Sequence, residues 1–257
     1  MTAPVRLHAH AKLTRTLRIT GIRDDGYHLI DAEMVSLDLH DVIEITPGEE
    51  GIEVTGAFSD GVPTDDDNLV ARALAMTGRR AGISIVKQIP HGGGLGGGST
   101  DAAAVLRWAG LGVDPDDLER ASGLGADIPF CMIGGRARVR GIGEIVEPLP
   151  VRDAPPDEFT LIIPPLQVST PAAYRAWDEL GGPTAEGPND LEPAALVVEP
   201  RLAEWRSAIE DRVGIAPTLA GSGATWFVDG RRDNALADLV DEGARVVIAR
   251  TASPTFD

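Results

Sequence analysis

Lysine is almost absent from this 257-residue chain, which carries it only at Lys12 and Lys87. Cationic charge is scarce altogether, with 23 Lys and Arg against 40 Asp and Glu and a net charge of −17. No basic stripe exists to neutralise a polyphosphate backbone, which argues against a nucleic-acid partner. Any anionic ligand must be met by a local cluster of cations, amides or metal against the global field. Cysteine is reduced to Cys131, which excludes an internal disulfide and suits a reducing cytoplasm. No apolar run approaches the length of a membrane span, and the N-terminus has no signal-peptide core. A cytoplasmic protein without a membrane partner is therefore expected. Aromatic residues make up 4% of the chain, and Tyr27 and Tyr174 are its two tyrosines.

Glycine is abundant and concentrated. Residues 91–101 read His-Gly-Gly-Gly-Leu-Gly-Gly-Gly-Ser-Thr-Asp and run straight into Ala102, Ala103 and Ala104. The preceding Gly82–Ile89 alternates like a half-buried strand. The pattern predicts strand, glycine loop, helix, with Ser99 as a good N-cap. A backbone without Cβ atoms can curl its amides around an anion, and the free N–H groups at a helix start add partial positive charge, so phosphate is the natural guest. A flexible linker would not pass unbroken into a helix. Gly92, Gly94 and Gly97 fit G-x-G-x-x-G only weakly, far from a first βα unit. Gly93–Gly98 has Walker A spacing, but Ser99 takes the place of the lysine. The phosphate charge must be met from elsewhere.

The hydrophobic content of 43% over this length suits one large core or two ordinary ones. Val5–Leu17 and Ser36–Ile45 read as strands joined through residues 23–28. Asn68–Met76 and Asp116–Ser122 read as helices, and Arg136–Val146 as a strand or hairpin bending at Gly141 and Gly143. Pro148–Pro156 is the best candidate boundary. Beyond it, Phe159–Ile163 and Arg245–Arg250 read as strands. Pro171–Leu180, Leu191–Val198 and Pro200–Ile209 read as helices, and Thr218–Val228 holds a second glycine turn. An α+β fold in two lobes, 1–150 and 151–257, is expected.

Lys12 puts a rare cation on the first strand, although most lysines face solvent. Asp25-Gly26-Tyr27-His28 could be a plain turn. Asp127, among Gly125, Ala126 and Ile128, is an acid in small and apolar company, with a helix cap as its simpler use. Gly221-Ser222-Gly223 is another anion-capable turn, or a tight connection between elements.

Together, Asp25–His28, Gly94–Ala103, Gly125–Phe130, Asn189-Asp190-Leu191-Glu192 and Gly221–Gly223 resemble, in order and over nearly the whole chain, the motifs of the GHMP kinases. Within them they are most similar to the branch acting on a cytidine diphosphate-linked methylerythritol in non-mevalonate isoprenoid synthesis. The resemblance implies a ribosomal-protein-S5-like N-terminal lobe and a ferredoxin-like C-terminal lobe. It also implies transfer of a phosphoryl group from ATP to the 2-hydroxyl of the methylerythritol unit, with Mg²⁺ bridging β- and γ-phosphate oxygens and no protein residue assigned to the metal. Lys12 and Asp127 would be the catalytic pair, Asp127 as base or as the group holding Lys12. ATP would be bound by Gly92, Gly93, Gly94, Leu95, Gly96, Gly97, Gly98, Ser99 and Thr100, and from the second lobe by Gly221, Ser222 and Gly223. Thr14, Tyr27, His28 and Tyr174 would bind the substrate, Tyr27 stacking on cytosine and His28 reading its edge. The family's first strand reads Lys-Ile-Asn where this chain has Lys12-Leu13-Thr14. A kinase for another small alcohol, or a nucleotide-binding paralogue of low activity, are the alternatives. A monomer or weak homodimer is expected.

Overall fold

The computed structural model describes residues 3–150 and 155–253. The candidate boundary at Pro148–Pro156 therefore lies partly outside the described residues. The first strands are far longer than their alternation suggested. Strand β1 (Val5–Ile22) and strand β2 (His28–Pro47) form one antiparallel hairpin that runs from Val5↔Ile45 to Ile22↔His28. Three register shifts interrupt the ladder, one of them between His10 and Lys12. Such irregularities twist a strand and re-aim its side chains, and they are what broke the two-residue period read from the sequence.

On the other edge of β2, its two ends pair with different strands. Residues 42–47 pair antiparallel with β4 (Ala81–Lys87), and residues 30–35 pair with β5 (Arg136–Gly141). Strand β3 (Ile52–Gly56), which the sequence reading missed, adds parallel to β4, and β6 (Ile145–Pro148) closes the β5 hairpin. Helices α1 (Leu69–Thr77), α2 (Gly97–Ala109), α3 (Pro115–Ser122) and α4 (Ile128–Ile133) accompany this six-stranded sheet. Asn68 caps α1 by accepting from the Val70 amide, as its residue type favours. The side chains of Ile43, Ile45, Ile83 and Ile85 meet Ala102, Ala103, Val105 and Leu106 of α2 in one core. The alanines allow α2 to lie close to the sheet.

The second sheet runs β10 (Arg245–Arg250), β7 (Glu158–Ile163), β9 (Trp226–Asp229), β8 (Thr218–Leu219), antiparallel throughout. In chain order that is 4-1-3-2, with α5 (Thr170–Glu179), α6 (Glu192–Val198) and α7 (Arg201–Val213) after the first strand and a 3-10 helix before the last. This is the split β-α-β pattern of ferredoxin-like folds. Ala11, Leu13, Val35, Leu37 and Leu95 form a third core with Phe159, Leu161 and Phe227 of the second sheet and with Ala220 just beyond β8. The cleft opens beside that shared core.

Candidate active site

A cleft of about 400 Å³ lies between the two glycine turns and the middle of β1. Its floor is Lys12, 5% exposed, whose Nζ donates to Thr14 Oγ1 at 3.2 Å and pairs with Asp127 Oδ2 at 3.3 Å. The bulge after His10 turns Lys12 inward, and its amide donates to the Leu95 carbonyl at 3.0 Å, tying β1 to the glycine loop. Asp127 precedes α4, yet its side chain makes no capping bond and reaches Lys12 instead. A third of that side chain remains exposed to the cleft.

The glycine loop enters α2 three residues earlier than a cap at Ser99 would give. Gly96 is the N-cap, with φ 70°, and Ser99 lies inside the first turn. An L residue pays to adopt that backbone, whereas glycine does not, so the helix starts where glycine permits it. The two glycine turns also pack directly on each other. A Cβ on Gly94 would stand 2.5 Å from the Ala220 carbonyl oxygen and 2.8 Å from that of Gly223. Gly92, Gly93, Gly94, Gly96, Gly97, Gly98, Ser99, Gly221 and Ser222 line the cleft. Leu95 instead enters the shared core, and buried Thr100 donates to the His10 carbonyl at 2.6 Å. Gly223 backs the second turn, with Leu219 and Val168 against it rather than the cleft.

Thr14 and Tyr174 line the cleft as well. Burial, followed by the nearby charge of Asp127, raises the Tyr174 phenol above its ordinary range, so it is neutral at physiological pH. Tyr27 and His28 do not line the cleft. His28 packs behind Tyr174 at a ring separation of 4.7 Å, edges against Trp177 at 5.5 Å, and bonds Asp178 Oδ1 through Nε2 at 2.8 Å. Tyr27 is 57% exposed at the hairpin tip, with the Arg23 guanidinium over its ring. Cys131 is no nucleophile candidate, because burial pushes its thiol up to about 12.

Three further contributors had no site role assigned from the sequence. Thr170 bonds Ser222 through their hydroxyls at 2.7 Å and lines the cleft. Asn189, 1% exposed, donates to the Leu219 and Gly221 carbonyls at 2.9 and 2.7 Å, so the Asn-Asp-Leu-Glu motif holds the second glycine turn in place. Its neighbour Asp190 accepts from Arg18 at 2.7 Å and from the Ile19 amide at 2.9 Å, fastening that motif to β1. Lys87 is the third. It lies buried beneath the loop, between Asp41 and Asp101. As the last residue of β4 and one of only two lysines in the chain, it had a signal in its rarity and its place just before the glycine loop.

Residues 68–135 match the family profile described as GHMP kinases N terminal domain. The 4-diphosphocytidyl-2-C-methyl-D-erythritol kinase of Paracoccus denitrificans is 39% identical over 85% of this chain and 84% of its own. That of Cereibacter sphaeroides is 39% identical over 85% and 87%. The chain belongs to the GHMP kinases, in the 4-diphosphocytidyl-2-C-methyl-D-erythritol kinase family. A crystal structure of 4-(cytidine 5'-diphospho)-2C-methyl-D-erythritol kinase matches with a TM-score of 0.75 at 29% identity, covering 97% of this chain and 100% of that one. Homoserine kinase from Cytophaga hutchinsonii, 17% identical with a TM-score of 0.63 over 99% of this chain and 96% of its own, shares the fold. ATP use follows from the family. No helix among the described residues is long and apolar enough to cross a membrane.

Proposed function

We propose that this cleft moves the γ-phosphoryl group of ATP to the 2-hydroxyl of 4-diphosphocytidyl-2-C-methyl-D-erythritol, with Lys12 and Asp127 as the catalytic pair. The observation that carries the reading is the position of Lys12, whose ammonium is held by Asp127 and Thr14 in a cleft walled by both glycine turns. The turns supply amides for the phosphates, and Lys12 supplies the cation that the loop itself lacks. In the step, the substrate oxygen forms a bond to the γ-phosphorus while the bond to the β–γ bridging oxygen breaks. The hydroxyl proton leaves towards Asp127, or Lys12 stabilises the alkoxide as it forms and Asp127 only orients it. The pH profile of Asp127→Asn separates the two divisions of labour, since only the first removes the acidic limb.

Among the described residues no three acids or histidines converge on a metal position. Mg²⁺ is commonly held by one or two carboxylates and substrate phosphates, which fits a cleft whose carboxylate is Asp127. When bound it would neutralise charge on the phosphates.

Specificity is assigned to the aromatic patch of His28, Tyr174 and Trp177 together with Tyr27 on the adjoining tip. Tyr27→Ala should weaken the cytidine substrate by about 1–3 kcal/mol, the range of a base–aromatic stack, with ATP binding unchanged. Methylerythritol without its cytidylyl group should turn over poorly, because remote binding energy positions the reacting hydroxyl. A coupled assay tests this, and efficient phosphorylation of the truncated alcohol would sink the base-binding reading in favour of a small-alcohol kinase.

A further inference from the structure

The mechanism leaves one charged cluster unused. Lys87, 2% exposed, pairs with Asp41 and, at 2.7 Å, with Asp101 Oδ2. Asp41 is fully satisfied, since its other oxygen accepts from the Ile89 amide at 2.8 Å and from the Gln88 amide. Asp101 is not. Its Oδ1 is buried and has no hydrogen-bond partner. An unpaired carboxylate oxygen out of water is costly, and a proton on the group removes the larger, charged part of that cost. Two acids on one buried lysine also leave a surplus negative charge if both ionise.

The place of this cluster gives the proton a use. Asp101 lies in the first two turns of α2, the helix whose N-terminus faces the cleft, and a Cβ on Gly97 would stand 3.1 Å from Lys87 Nζ. The cluster is thus immediately beneath the amides assigned to phosphate. We propose that Asp101 is a positioning residue for the nucleotide that carries a proton on Oδ1 when the loop holds phosphate, so that ATP binding is proton-linked. The inference rests on the glycine loop being the phosphate site. With Asp101 neutral, Lys87 and Asp41 cancel and the loop keeps its positive end. With Asp101 ionised, one net negative charge lies under the phosphates.

The surroundings support that division. Lys87 from β4 and Asp41 from β2 are the charges acting on Asp101, and burial, the larger effect, raises its carboxyl to about 7. The Lys12 ammonium of β1 is directed at Asp127 and Thr14 on the cleft side, His10 of β1 lies towards His8, His40 and Arg107, and α1 turns Val70 and Ala73 inward.

Asp101→Asn mimics the protonated acid. In the wild type, the KM for ATP should rise roughly tenfold from pH 6 to pH 8.5, the scale of a unit charge at roughly 10 Å through an effective dielectric near 20. In Asp101→Asn the affinity seen at pH 6 should persist to pH 8.5, with kcat preserved. Equal slopes in the two proteins would overturn the inference. Calorimetry on the wild type removes any dependence on how the variant folds. ADP binding at pH 8, in two buffers of different ionisation enthalpy, should draw a proton onto the protein. Binding without proton uptake refutes the role of Asp101, and no binding heat refutes the phosphate site itself.

Discussion

Both lysines of this chain lie beneath its glycine loop, one residue step apart in what they touch, and they do opposite things. A Cβ on Gly96 would meet Lys12 Cγ at 2.7 Å, and one on Gly97 would meet Lys87 Nζ at 3.1 Å. Lys12 has one carboxylate partner, a third of it still open to the cleft, and its ammonium faces the space where phosphate is proposed to bind. Lys87 has two buried carboxylates and no route to that space. The same side chain thus stays open to a ligand where its charge is incompletely answered and is a fastening where it is answered in full. Charge that is left partly unpaired in a cleft remains available to a ligand, whereas a buried, saturated pair organises the backbone around it.

The largest effect that would break this contrast is on stability. Lys87→Met should destabilise the fold by about 3–5 kcal/mol, since it strands two buried carboxyl groups, and urea unfolding measures it. A stable variant would mean that Lys87 is not a fastening. Next, Lys12→Ala and Asp127→Asn should each lower kcat by roughly 10²-fold or more, the usual scale of losing a group that handles a proton or developing charge, with little change in Tm. Turnover near wild type in either would remove that pair from the chemistry.

The adjacent glycines sharpen the comparison further. Gly97→Ala keeps a helical backbone but crowds Lys87 and Ile89, which should cost about 1–3 kcal/mol of stability while kcat stays near wild type. Gly96→Ala must hold φ near 70° and push against Lys12, so its loss should fall on kcat. Thermal melts beside steady-state kinetics distinguish the two, and identical profiles would dissolve the contrast.

The smallest effect concerns the approach to Lys12. Burial, more than the neighbouring His40, His8 and Arg107 charges, lowers the His10 imidazole below its ordinary 6.5. The unfolded chain then binds this proton more readily than the native one, so the His10 contribution is complete above about pH 6.5 and declines as pH falls beneath it. His10→Gln should flatten that part of the acid limb in denaturant titrations between pH 5 and 7, and an unaltered slope would assign it to other groups.

Much of the architecture was legible in local chemistry. The glycine run followed by alanines reads as a loop entering a closely packed helix, and Asn68 and Gly78 bracket α1 by the ordinary rules of caps. Strands were legible wherever alternation was undisturbed, and the full span of the first hairpin was not, because its three register shifts break the period. Strand β3 was invisible for another reason: five residues at a sheet edge carry too little pattern. In the cleft, the sequence by itself pointed to two glycine turns able to cradle an anion, and its family resemblance to Lys12 as the cation beside them. Only the tertiary structure showed what surrounds each lysine, the cleft for Lys12 and two buried carboxylates for Lys87. The side chain of Asp127 turned from a helix cap to Lys12, Asp41 and Asp101 converged on Lys87 from strands and helix 46 and 14 residues away, and Asn189 was drawn from an acidic-looking motif to hold a glycine turn. Each of those choices depends on what lies across the fold, where the electrostatic and hydrogen-bonding partners of a buried group come from elements distant in sequence.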